Sequence, residues 1–363
     1  MRNKFGAGVL AIGFTLVLAA CGGSGGGNAG GEKAAGNAGA RDQLRIVGSS
    51  TVFPFSTAVA EQFASRGQFK TPVVESTGTG GGLKLFCAGV GAAHPDIANA
   101  SRRIKASEFA DCAAAGVTGV VEVPIGFDGI VLATKTGQPP MNITKRQIFL
   151  ALAKEIPDGD GFIPNPYVKW SDIDPKLPNE KIEVMGPPPT SGTRDSWNEL
   201  ALAAGARQIE SLNKLYETDE AEFNRRANVM REDGAWKDGG ENDNIIVQTL
   251  SRNPTMYGVF GFSFYEENLD RVQAAKIAGV EPTFESISSG DYLISRDMYI
   301  YLKKQHVGVI PGLQEFAAEF VSDKAAGPKG YLKARGIVPL TAEKLTIAQA
   351  DVAGLKVMTE APK

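Results

Sequence analysis

Along the chain, apolar positions switch repeatedly from a strand-like run to a helical spacing, and a short polar turn stands at each switch. "LRIV" reads as a strand that reaches Gly48-Ser49-Ser50-Thr51; Phe55, Ala58, Val59 and Phe63 then recur at helical spacing. Pro54 falls in the first turn of that helix, where its missing N–H costs least. "TPVVES" leads in the same way to Thr77-Gly78-Thr79-Gly80-Gly81-Gly82, then to Leu83, Phe86, Cys87 and Val90 at i, i+3, i+4, i+7. "DIANA" ends in Ser101-Arg102-Arg103 ahead of a third amphipathic segment. "KIEVMG" runs into Pro187-Pro188-Pro189 and Thr190-Ser191-Gly192-Thr193, after which a helix would place Trp197, Leu200, Ala201 and Ala204 on one face. The prolines hold the backbone extended until that helix can start.

A single turn of this kind is an ordinary capped helix. Four of them, each rich in hydroxyls or glycine, predict a shared purpose. A helix start carries free amide N–H groups at its positive end, which together make an anion socket. In open α/β sheets, ligands sit beyond the carboxyl ends of the strands, where all four turns would lie. The glycine cluster is not a nucleotide loop: Leu83 precedes Lys84 where a Walker A loop needs glycine, and it also breaks the Rossmann spacing. Its glycines are read instead as letting amides approach a small anion. Arg102, at a strand end, can offer a planar fork to an oxyanion or serve in a surface salt bridge.

The N-terminus changes the picture of where this happens. "MRNK" followed by "FGAGVLAIGFTLVLAA" reads as a signal peptide over residues 1–20, and "LAAC" resembles a bacterial lipobox with Cys21 as the lipidated residue. A plain secretory signal is the alternative. Residues 21–42 form a Gly/Ala-rich flexible tether without an apolar face. From Leu44 onward lie about 320 residues, enough for two lobes. Loss of Arg2 and Lys4 with the signal takes the formal charge from −3 to −5, which argues against nucleic-acid binding and leaves any anion site dependent on local donors. In an oxidising compartment Cys87 and Cys112 are disulfide candidates, with two buried thiols as the alternative. The two histidines, His94 and His306, have no metal-ligand spacing around them, so neither a metal site nor a cofactor is expected.

"GSSTVFP", "TGTGGGLK", "IANASR" and "SGTR", in that order, resemble the periplasmic phosphate-binding lipoproteins of bacterial phosphate ABC transporters, which are type II solute-binding proteins. "PIGFDGIVLAT", "GVFGFSFY" and "GYLKARGIVPL" extend the resemblance over nearly all of residues 44–340. It implies an α/β, two-lobed fold in which each lobe is a central sheet flanked by helices, joined by a two-strand hinge. Residues 43–130 and 285–363 would make lobe one and residues 131–284 lobe two. Phosphate would be held by Ser50, Thr51, the amide of Val52, Thr79, Gly80, Ser101 and Arg102 of the first lobe. Ser191, Gly192 and Thr193 would close from the second. The partners implied are inorganic phosphate and ABC permease subunits in the inner membrane. The implied receptor is a monomer, anchored in the cell envelope by its N-terminal lipid.

Two departures matter. Some members carry an aspartate where Arg102 stands, and an arginine where this chain has Pro187. Phosphate near neutral pH keeps a proton and sulfate does not, so a carboxylate acceptor in the site rewards one and repels the other. Asp128 in "GFDG" is the candidate acceptor, with a turn aspartate bonded to its own backbone as the alternative. Asn242 and Asn244 either line the cleft or shape a loop, and Arg194 either reaches the ligand or pairs elsewhere. Other readings are a receptor for sulfate, molybdate or a phosphonate, a surface lipoprotein that keeps only the fold, and a phosphatase-like enzyme using Ser50 or Ser191. The last lacks a paired histidine and a metal cluster, so the chain is read as no enzyme.

Overall fold

The structure is a computed structural model that describes residues 41–159, 161–240 and 242–362. The stretch read as a signal peptide, Cys21 and most of the stretch read as a tether lie outside these residues. Near the end of the stretch read as tether, the Arg41 guanidinium donates to Asp96 at 3.0 Å and to the carbonyls of Ala92 and His94.

The first three strand–turn–helix units appear as expected. Strands β1 (Arg45–Gly48), β2 (Val73–Ser76) and β3 (Ile97–Ala100) lie parallel in the order β2-β1-β3. Each is followed by a helix: α1 (Phe53–Ala64), α2 (Thr79–Phe86) and α3 (Ala106–Ala114). One detail differs. The helical spacing read through Val90 stops at Phe86, and Val90 is exposed, because Gly89 adopts a positive φ against His94 that a helix cannot continue through.

Strand β4 (Val120–Lys135) organises the rest. It is buried along most of its length, with Glu122, Pro124 and Asp128 the half-buried interruptions. Up to Gly129 it pairs antiparallel with the strand Ser295–Lys303, which also pairs with β3. From Ile130 onward it pairs with Tyr257–Gly261 and Val272–Ala274. Beyond Tyr257–Gly261 lie Val184–Gly186 and Trp236–Asp238, all parallel. One long strand therefore serves two parallel-stranded halves, and it changes partners between Gly129 and Ile130. Asp128 sits beside that change.

Cys87 and Cys112 are joined in a disulfide that ties the end of α2 to α3. The fourth unit, after Val184–Gly186, is less regular. The helix Gly192–Trp197 runs into a π-turn at Asn198–Ala203 and then a short helix Ala204–Ala206. Leu200 and Ala204, expected on the buried face, are only partly covered, whereas Ala201, Leu202, Gly205 and Ala206 are buried. The wider turn of a π segment advances the stripe by about one residue, which a 3.6-residue period does not foresee.

Candidate functional site

The turn after β1 is shaped by contact with β3. Gly48 has φ +133°, and a Cβ there would fall 2.2 Å from the Asn99 carbonyl oxygen, so only glycine allows the approach. Ser49 N–H donates to that carbonyl at 2.9 Å, and Ser56 Oγ donates to Asn99 Oδ1 at 2.8 Å. The turn and the first turn of α1 are thus both pinned to Asn99 of β3. Thr51 is buried, and Ser50 is more open. Val52 is fully buried, and its amide lies 3.4 Å from Ser49 Oγ.

The facing turn carries Ser191, Gly192 and Thr193. Ser191 caps the helix Gly192–Trp197 by accepting from Thr193 N–H at 3.2 Å. A Cβ on Gly192 would lie 3.1 Å from the Ser50 carbonyl oxygen and 3.3 Å from Thr51 Cα, so the two turns meet backbone to backbone. Ser50 Oγ donates to Asp195 Oδ2 at 2.7 Å, and Thr51 Oγ1 and Ser196 Oγ are 3.2 Å apart. Beside this meeting point is a cavity of about 320 Å³ whose lining includes Ser50, Thr51, Asp128, Ser191, Gly192 and Thr193, with Phe53, Phe264, Asp243 and Arg335 also on its wall. The fold has brought six of the expected residues together.

Behind the cavity lies Arg296, which sequence reasoning missed. Its Cα is the cross-strand partner of Asp128, and its side chain is only 8% exposed. Nη2 donates to Thr51 Oγ1 at 2.8 Å and to Ser196 Oγ at 2.7 Å, and Nη1 pairs with Glu199. Its Nε lies 3.5 Å from Asp128 Oδ2 and makes no hydrogen bond. Ser196, equally unforeseen, donates to Asp128 Oδ2 at 2.6 Å and stands 3.0 Å from the Gly192 carbonyl. The available signal was the charged pair Arg296-Asp297 opening an apolar strand, but its meaning depends on the register that sets Arg296 opposite Asp128.

The remaining expected residues form a separate cluster. Thr79 Oγ1 accepts from Ser101 N–H at 3.1 Å and sits 3.1 Å from Ser101 Oγ. Arg102 is gripped by Glu108, Nη1 to Oε2 at 2.9 Å and Nη2 to Oε1 at 2.7 Å. That carboxylate holds the guanidinium above its ordinary pKa against the opposing effect of burial. Gly80 and Arg102 line a second, more open cavity of about 830 Å³, whose wall includes Asp195 and Glu199. The glycines here also differ in use. A Cβ on Gly82 would fall 2.3 Å from Gly48 Cα, so this glycine serves packing of α2 on β1 and not the approach of a ligand.

Arg194, Asn242 and Asn244, whose roles were open, now have places, as does His306. Arg194 turns away from the cavity, over the Trp236 ring at 4.4 Å and onto the Pro187 carbonyl at 3.1 Å, and burial lowers its pKa. Asn242 accepts from both nitrogens of Asn244, which shapes the start of the helix Asp243–Arg252. His306 is a buried structural residue bonded to Asp96 at 2.7 Å.

With this geometry in hand, similarity to known proteins is informative. The profile of the PBP superfamily domain matches residues 33–324. Protein SphX of Synechococcus elongatus is 31% identical over 307 residues, 83% of this chain and 78% of that protein. The phosphate-binding protein PstS of Staphylococcus saprophyticus is 30% identical over 323 residues, 87% and 85% of the two chains. Among solved structures, a possible phosphate binding protein from Planctomyces limnophilus superposes with a TM-score of 0.67 at 26% identity, over 86% of this chain and 98% of that one. PstS from Borrelia burgdorferi shares the fold at a TM-score of 0.55 and 18% identity, over 83% of this chain and all of that one.

Proposed function

The chain belongs to the PBP superfamily, and from that premise we propose that it is the phosphate receptor of an ABC importer, capturing inorganic phosphate between two closing lobes and handing it to a membrane permease. One observation carries the reading. Two hydroxyl-rich turns at helix starts, Ser50–Thr51 and Ser191–Thr193, meet over one cavity that also holds a carboxylate, Asp128. The relatives named as phosphate-binding proteins point to the same ligand.

Residues up to about 130 and from about 285 onward act as one lobe and residues 131–284 as the other, hinged where β4 changes partners and where Ser295–Lys303 runs beside it. Thr51, Ser191, Gly192 and Thr193 donate to phosphate oxygens, Ser50 Oγ joins them on releasing Asp195, and the anion favours closure because it bonds both turns at once. Desolvating so charged a ligand is tolerable only when nearly every lone pair meets a donor, which accounts for a site of amides and hydroxyls. Thr79 and Ser101 bond to each other beside the neighbouring cavity that Gly80 lines, and Arg102 reaches an anion only by releasing Glu108. Asp128 accepts the phosphate proton. Lipid on Cys21 anchors the receptor to the cell envelope, with the segment to Arg41 as its leash. The receptor works as a monomer and performs no covalent chemistry.

Calorimetric titration of the ligand-stripped chain with phosphate and sulfate tests this. Tight binding of phosphate with only weak binding of sulfate is expected, together with no turnover of a phosphomonoester. Absence of phosphate binding overturns the proposal, and hydrolysis would return the enzyme reading.

A further inference from the structure

The hydrogen bonds behind the cavity have a direction, because their members differ in what they can give. A guanidinium only donates and a carboxylate only accepts. Arg296 Nη2 gives one bond to Thr51 Oγ1 and one to Ser196 Oγ, so each hydroxyl spends a lone pair there and keeps its single proton for another partner. For Ser196 that partner is Asp128 Oδ2 at 2.6 Å, a shorter, charge-assisted contact than the Gly192 carbonyl at 3.0 Å. The Thr51 proton is left for Ser196 Oγ, at a longer 3.2 Å, or for the cavity that Thr51 lines. Asp128 also lines the cavity, and its Oδ1 has no protein partner among the described residues.

From this chain we infer that Arg296 and Ser196 are positioning residues that fix the cavity's polarity, presenting Thr51 as a donor and Asp128 Oδ1 as an acceptor to a tetrahedral oxyanion that still carries a proton. The inference rests on the phosphate-receptor reading and deepens it. A hydrogen phosphate or hydrogen arsenate ion satisfies both ends. Sulfate, with no proton, satisfies Thr51 but leaves its oxygen facing the carboxylate. No rearrangement of protons can reverse the order while Arg296 stands at its head. Other charged groups around Asp128 are Asp195 and Glu199 from the neighbouring helix and π-turn, and Asp243 and Arg335 on the cavity wall. None of them replaces the hydroxyl link that Ser196 supplies.

The test is calorimetric titration of the full chain and its Ser196→Ala and Arg296→Lys variants with phosphate and with sulfate, with thermal unfolding midpoints measured alongside. Ser196→Ala should weaken phosphate by about tenfold or more, the scale of a lost charge-assisted hydrogen bond, while sulfate shifts by less than about threefold. The phosphate-to-sulfate preference falls accordingly. Arg296→Lys keeps the charge but loses the planar grip on two hydroxyls, and it should lower the same preference with the unfolding midpoint preserved. It repeats the test should Ser196→Ala unfold early. Variants that bind both anions as the parent does, or that lose both by one common factor, overturn the inference while the receptor reading survives. A parent chain that binds no phosphate overturns both.

Discussion

The turn at Ser50–Val52 and the cluster of Thr79, Ser101 and Arg102 are made of the same residue types at the same place in a strand–turn–helix unit, yet their donors are spent differently. In the first, Ser50 bonds to Asp195 and Thr51 meets Ser196, so both hydroxyls face across to the other half of the molecule, while Arg296 of the first half also holds Thr51. In the second, Thr79 and Ser101 bond to each other and Arg102 is forked by Glu108, all within one half. The hydroxyls of one turn reach across to the opposite half, and those of the other stay within their own. Donor count alone does not separate a binding turn from a scaffold turn; the partners that already hold those donors do.

The cluster that stays within one half carries the largest expected effect. The Cys87–Cys112 bridge, at the end of α2, closes a loop across a sequence separation of 25. Replacing both cysteines with serine should remove about 3 kcal/mol of stability in denaturant titration. Phosphate affinity of the folded protein should stay within about threefold, since the scaffold side does not make the decisive contacts. Close behind comes Gly192→Val. A side chain there meets the Ser50 carbonyl and Thr51 Cα, so the turns are held apart and phosphate affinity drops by about a hundredfold, with little change in unfolding midpoint. A matched pair of smaller changes addresses the comparison itself. Thr51→Val should weaken phosphate by about tenfold and Thr79→Val by less than about threefold in the same titration. Equal losses would erase the distinction between the turns.

The smallest effect concerns acid stability. Burial pushes the Glu108 carboxyl up, but Arg102 and the Lys105 amide outweigh it and hold it below its ordinary 4.5. A carboxylate depressed in the folded state stabilises above 4.5, and that contribution is lost as pH falls through the lower folded value. The stability gap between the parent and Glu108→Gln should therefore be full above pH 4.5 and close at more acid pH, measured by unfolding midpoints. A gap that persists into acid would mean that Glu108 acts through packing and not through its charge.

Local chemistry was legible in the sequence, and tertiary pairing was not. Gly48, Pro54 and the spacing of Phe55, Val59 and Phe63 specify a strand, a turn and a helix within a short stretch, and that is what forms. The resemblance placed a lobe crossing near residue 130, within "PIGFDGIVLAT", but not which strands would pair on either side of Gly129. Arg296 stayed hidden because its role follows from lying opposite Asp128, more than a hundred residues away in sequence. Ser196 was hidden inside an amphipathic helix. Glu108 was closer to view: a glutamate at the third position of α3, already bonded to the Lys105 amide at 2.8 Å, is a capping signal. That the same carboxylate would also take Arg102 is what the turn motif alone does not convey.

The most direct test of the account is a crystal structure of the chain with phosphate bound. The account predicts an anion in the cavity between Thr51 and Ser191–Thr193, with Asp128 Oδ1 within hydrogen-bond reach of one phosphate oxygen and the Arg102–Glu108 fork intact. Phosphate seated on Thr79, Gly80 and Arg102, with Glu108 displaced and Asp128 turned away, would contradict it.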